Sequence, residues 1–218
     1  MDRFRRALRS RHLIRVAAQP EPSSFHQLVR VPGQAFLKTN QNPKSRDYEK
    51  HRYWKHAAQE IFEAYNRVCA YTCRFISESR GSIDHFQSKT LYPTLAYEWR
   101  NYRLCLGRVN GHKKDFEGIV DPFDVQTGWF VLDFPSCLIR PGPDLPHVLH
   151  NQIVTTIEVL KLNEDDSFVQ DRSDNMFLFA QGQVALEFLQ KYRPFLAVEV
   201  VRQGIDQNSA AALFKPLP

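Results

Sequence analysis

An α+β fold is what the sequence predicts, and three observations predict it. A helical pattern rich in Lys, Arg and His over residues 48–69 gives way to strand-like alternation around Ile83–Phe86; a β-rich stretch, GWFVLDF, occupies 128–134; and helical patterns return over 152–192. The 218 residues, 43% of them hydrophobic and 16 of them Phe, suffice for a packed core without a metal or disulfide staple. One compact unit is expected: 1–47 as a basic arm and irregular connector, 48–120 as the core, and 121–218 as a β-hairpin and helical region packed on it.

The elements follow in order. The Arg-rich start, with Phe4, Leu8, Leu13 and Ile14 interspersed, reads as a basic arm or a first helix. Pro20, Pro22, Pro32, Gly33 and Pro43 punctuate residues 19–47, which read as a connector. Over 48–69, Trp54, Ala58, Ile61, Phe62, Tyr65 and Val68 recur at helical spacing. Residues 69–93 lose that spacing and suggest a short hairpin turning at Gly81. Asp84 and His85, neighbours on a strand, face opposite sides unless the backbone bends. A short helix and loop are expected from Tyr97, then a helix over 104–114. After the β-rich stretch comes a loop with four prolines over 135–146, then helices over 152–162 and 175–192 and an apolar segment over 194–204.

Composition narrows the function. No apolar run approaches the ~20 residues of a membrane span, since even 195–201 is broken by Glu199. Cysteines at 69, 73, 105 and 137 without a secretory signal suggest reduced thiols in a cytoplasm. Charge is divided along the chain: Lys and Arg number 22 against 9 acidic residues through Lys114, and 7 against 15 after it. A basic first half is the footprint of a surface that neutralises phosphates, and the acidic remainder is expected to face elsewhere.

Cleaving a phosphodiester needs a base to deprotonate water, a cation to neutralise developing charge, and a group that aims the base. Asp84 and Asn110 offer oxygen ligands for Mg²⁺ or Mn²⁺, His85 suits the base, and Asn101 suits a brace for the His85 loop. His112 is a rival to Asn110 as ligand. Lys113 is counted with His85 and Asn101 in the catalytic set as the foremost phosphate contact, with Lys89, Arg103, Arg108 and Lys114 as further nucleic-acid contacts; any of these cations could instead be a solvated charge. His51 and His56, five apart, lack the spacing of a helical metal pair. Each residue alone is commonplace; their joint spacing is the signal.

That spacing resembles the HNH (ββα-metal) endonuclease family: Asp84-His85 in GSIDHFQSK, Asn101 sixteen residues after His85, and Asn110 nine further on in VNGHKK. Lys113, three residues after Asn110, is similar to the lysine of the HNH domains of CRISPR effector nucleases. Over about 30–205, the runs CAYTCRFISESRGSIDHFQSKTLYPTLAYEWRNYRL, DPFDVQTGWFVLDF and TTIEVLKLN resemble the PtuB-like HNH proteins encoded beside ATPases in Septu and certain retron anti-phage systems. The resemblance implies a ββα-metal core that hydrolyses DNA to 3′-hydroxyl and 5′-phosphate ends, metal on Asp84 and Asn110, His85 as base, Asn101 as its brace, and an ATPase partner. It names no small-molecule ligand. Two features depart from the family. Where many members hold a structural zinc on two Cys-x-x-Cys pairs, Cys69, Cys73 and Cys105 make an incomplete set, so no zinc is expected. Gln87 stands where relatives often have Pro. The rival expectations are a DNA-holding or ATPase-docking subunit with degenerate catalysis, and a toxin acting on RNA.

Overall fold

The computed structural model describes residues 16–213, so most of the expected basic arm lies outside the described residues. Among the described residues helices predominate, with two separate two-stranded antiparallel sheets, which makes the fold α+β.

The first departure from expectation is helical structure inside the supposed connector. A wide turn over His26–Arg30 runs into α1 (Val31–Thr39). Pro32 cannot donate a backbone hydrogen bond, and the wide turn just before it, where the Val31 N–H reaches back to His26 O, absorbs that loss. Gly33 serves packing: a Cβ there would lie 2.1 Å from Tyr97 Cγ, so only glycine lets the ring sit against the helix.

The long helix expected over 48–69 is instead two tight turns, Ser45–Tyr48 and Tyr53–Ala57, followed by α2 (Ala58–Ala64). Tertiary hydrogen bonds override the local pattern: the Tyr48 hydroxyl donates to Lys89 O at 2.6 Å, and the Tyr97 hydroxyl to His51 O at 2.8 Å. Asn66 and Arg67, at φ 51° and 57°, then end the helix.

Strand β1 (Gly81–His85) pairs antiparallel with β2 (Tyr102–Leu106), Asp84 opposite Arg103 and His85 opposite Tyr102, and α3 (Gly107–Lys113) follows directly. The hairpin is therefore wider than expected within 69–93, and the supposed helix over 104–114 begins as a strand. Residues 102–105 are all buried. A strand buried on both faces shows no alternation and cannot be told from a helix by periodicity.

Strand β3 (Phe130–Asp133) lies in the β-rich stretch and pairs with β4 (Leu138–Pro141), which comes from the proline-rich loop. Helices α4 (His147–Val159), α5 (Asp166–Ala180), α6 (Leu186–Tyr192), α7 (Pro194–Arg202) and α8 (Gln207–Leu213) follow. Asp165 caps α5 by accepting from Ser167 N–H. The single helix expected over 175–192 is divided because Gly182, at φ 70°, closes α5 in a turn.

Three hydrophobic clusters join these elements. One unites Phe25 and Phe36 of the N-terminal helical segment with Ile61, Tyr97 and the β1–β2 hairpin. Another packs Val109 of α3 against Ile139, Ile153 and Ile157. A last one gathers β3 with α5 to α8. Burying a side chain such as Ile153 contributes roughly 1.5–3 kcal/mol, so α3 is held from behind by α4 while its other side meets β1.

Candidate active site

Among the described residues β1 has β2 on one side only, and a cleft of about 510 Å³ is lined by Gly81 to His85. Asp84, His85 and Asn110 all line it. The two strand neighbours reach one cleft because it follows the strand's edge and end: Asp84 points toward α3, while His85 lies against Trp54 and Tyr102.

His85 is nearly enclosed. Its Nε2 lies 2.9 Å from the Ala96 carbonyl, which can only accept, so Nε2 carries the proton. Nδ1, with its lone pair, has no hydrogen bond among the described residues. The same Ala96 oxygen accepts from the Tyr102 hydroxyl at 2.9 Å. Burial, reinforced by the Lys89 charge, holds the imidazole at a pKa of about 3, so it is neutral at physiological pH.

Asn101 spans the connection between the strands. Its Oδ1 accepts from Gln87 N–H at 2.8 Å, and its Nδ2 donates to Gln87 O at 3.0 Å and Leu95 O at 3.1 Å. Both ends of the segment carrying Gln87 and Ala96 are thereby tied to one buried amide.

The Asp84 side chain is 3% exposed. One oxygen accepts from Lys113 Nζ at 3.1 Å and the other from the Tyr71 hydroxyl. Burial pushes the Asp84 carboxyl upward against the opposing pull of Lys113. Burial also raises the Tyr71 phenol well above its ordinary range, so it stays a donor. Asn110, on α3, donates through Nδ2 to Ser82 Oγ at 2.8 Å, which leaves Oδ1 without a hydrogen bond among the described residues. Among the described residues no three His, Cys, Asp or Glu side chains form a metal cluster. One carboxylate and one amide oxygen beside a roomy cleft do fit a hard cation that keeps waters and takes substrate oxygens as its other ligands.

The remaining candidates separate into two groups. Lys89 and the exposed Lys114 line the cleft, and so do the exposed Arg52 and Lys55, which the sequence reading did not single out. They belong to the basic 48–69 pattern, whose charge was visible but whose individual roles were not. The others face away. Lys113 is fully buried beneath Asp84 and also donates to His85 O at 2.9 Å, so it does not reach a phosphate. Arg103 is buried, paired with Asp121 and stacked 3.6 Å over Phe123. Arg108 joins Asp165 and Ser167 at the start of α5. His112 bonds Leu160 O at 3.1 Å and, unlike Asn110, does not line the cleft.

The cysteines are free. Cys69 Sγ accepts from the N–H groups of Thr72 and Leu106, each at 3.4 Å. Burial raises the Cys73 thiol to about 12 and the Cys105 thiol well above its ordinary range, which keeps both protonated.

Compared with known proteins, the chain is 32% identical over 118 residues to the Septu protein PtuB of Bacillus thuringiensis, a match spanning 51% of this chain. The match covers 43% of that relative's length. The resemblance to PtuB-like proteins read from the motifs is thus shown by the sequence match. No family model matches the chain.

Proposed function

We propose that the chain is a metal-dependent HNH endonuclease that hydrolyses DNA as the effector of an anti-phage defence system. One observation carries the reading: a neutral His85, its Nδ1 unengaged, lies beside Asp84 and Asn110 in a cleft lined by basic side chains. In this reading the strand, strand and helix from Gly81 to Lys113 are the ββα-metal core.

His85 Nδ1 takes a proton from the attacking water, while Ala96 O fixes the tautomer and the ring. The water oxygen bonds to phosphorus as the P–O3′ bond breaks, and the departing oxygen gains a proton, leaving 3′-hydroxyl and 5′-phosphate ends. Asp84 and Asn110 would hold Mg²⁺ or Mn²⁺, which would supply charge neutralisation at the phosphate oxygens. Arg52, Lys55, Lys89 and Lys114 hold flanking phosphates, and Lys113 secures Asp84 from behind. The defence role, a cytoplasmic setting and an ATPase partner are proposed from the likeness to PtuB, with the acidic region after Asp115 as the docking face.

Incubating the purified protein and its His85→Ala variant with supercoiled plasmid and Mg²⁺ or Mn²⁺ tests the mechanism. The variant should lose about 10²–10⁴-fold in rate. Equal cleavage by both removes His85 as the base, and faster turnover of RNA than of DNA reassigns the substrate. The reading of a binding subunit with degenerate catalysis is favoured by one observation, that both Asp84 oxygens already accept hydrogen bonds. It requires that Mn²⁺ titration show no binding dependent on Asp84 or Asn110.

A further inference from the structure

We propose that Tyr71 is a positioning residue for the metal-binding carboxylate, presented on a turn built around the Cys69 thiol. The inference rests on Asp84 being a metal ligand, as argued above. Tyr71 and Lys113 each hold one oxygen of Asp84, and neither donor lines the cleft that Asp84 itself faces. Held from two directions, the carboxylate has its plane fixed before any cation arrives.

The turn that carries Tyr71 is unusually anchored. Cys69 Sγ accepts two backbone N–H groups, one from within the turn and one from Leu106 at the end of β2. Cys73 N–H closes the turn on Cys69 O at 2.9 Å, and Ala70 N–H donates to Leu104 O at 2.8 Å. The turn is thus joined to the strand that pairs with β1. It also carries two local costs: Cys73 adopts φ 48°, and Thr72 Oγ1 is buried with no hydrogen-bond partner among the described residues. Those costs accompany a turn that directs a phenol to the carboxylate. The Tyr71 ring packs at the edge of both the N-terminal cluster and the cluster behind α3, so it cannot swing from Asp84 without disturbing both.

Side chains that hydrogen-bond a metal ligand set its orientation, and their removal costs about 10–100-fold in metal affinity. Tyr71→Phe deletes a single oxygen and keeps the ring. Calorimetric titration with Mn²⁺ should show a dissociation constant raised about tenfold or more, and the Mn²⁺ needed for half-maximal cleavage should rise in parallel. At saturating Mn²⁺, kcat should return to within about threefold of the wild-type value, because the base and its brace are untouched. Wild-type Mn²⁺ affinity in Tyr71→Phe, alongside loss of binding in Asp84→Ala, overturns the proposal. So does a kcat depressed at every Mn²⁺ concentration with affinity unchanged, the signature of a packing role. Mn²⁺ binding that survives in Asp84→Ala instead overturns the metal reading beneath it.

Discussion

Replacing Asn101 by Ala is expected to release the segment that joins the two strands of the site. Three hydrogen bonds are lost, at 2.8, 3.0 and 3.1 Å, all from a side chain that is almost completely buried. At about 1 kcal/mol net for each, and with water able to reach the exposed Gln87, the loss is roughly 2–3 kcal/mol. For a chain of this length that corresponds to a fall in Tm of roughly 4–12 °C. The functional effect should exceed the stability effect, because Leu95 and Ala96 are adjacent and Ala96 O orients His85. A misplacement on the order of 1 Å at a reacting group costs about 10²-fold in rate. Thermal unfolding followed by circular dichroism, paired with single-turnover plasmid cleavage well below Tm, separates the two quantities. Asn101→Asp keeps the acceptor for Gln87 N–H but turns a carboxylate oxygen onto the Gln87 and Leu95 carbonyls, so it should be no more stable than Asn101→Ala. An Asn101→Ala protein that melts with the wild type, or cleaves at the wild-type rate, would refute the brace.

The other predictions concern charge. With the folded pKa of His85 at about 3 and the unfolded value near 6.5, the unfolded chain binds a proton that the native chain does not between those limits. This contribution is therefore full above about pH 6.5 and is lost on acidification toward 3, by up to about 1.4 kcal/mol per pH unit. Urea unfolding of wild type and His85→Gln across that interval measures it, and identical pH profiles would contradict it. Lys113→Met should destabilise by roughly 3–5 kcal/mol by leaving the Asp84 carboxylate buried without its cation, and adding Asp84→Asn should recover much of the loss. A single mutant as stable as wild type would mean that Asp84 is neutral in the fold. Alanine at Arg52, Lys55 and Lys114 together should weaken DNA binding uniformly across sequences and lower the salt slope by about one for each lost phosphate contact. An unchanged slope would remove these residues from the interface.

What the sequence made legible was chemistry at fixed spacing; what it concealed was tertiary. Asp84, His85 and Asn110 could be picked out together because the spacing among them resembles a known motif, and they do share one cleft. The helix through Pro32 was hidden because a proline normally ends a helical pattern, and the wide turn that accommodates it has no signature in composition. Strand β2 was hidden because burial on both faces erased its alternation. Tyr71 sits in the run CAYTC, where an aromatic reads as core, and only the folded chain brings its hydroxyl to Asp84.

The division of charge along the chain calls for a different reading from the one that composition suggested. Acidic residues of the second half need not all face away from the basic first half, because several meet it directly. Arg74 pairs with Asp171 at 2.9 Å, Arg108 with Asp165 at 3.0 Å, and Arg103 with Asp121. Each pair joins an arginine before Lys114 to an aspartate after it. Two of these arginines, Arg103 and Arg108, were candidates for phosphate, and the fold pairs both with aspartates, Arg103 in the interior and Arg108 at the surface. Around a planar guanidinium that can stack and donate in a fork, such a joint excludes water: Arg103 does both, over Phe123 and onto Asp121. The cations left facing the cleft are mostly lysines, Lys55, Lys89 and Lys114, with Arg52. Compact ammonium groups on flexible stems hold phosphates as point charges and with little geometric demand. The division of labour follows from side-chain chemistry: Arg103, stacked and forked, fastens the acidic half to the basic one, while three lysines and Arg52 remain at the cleft, where a substrate backbone of variable sequence would need charge more than shape.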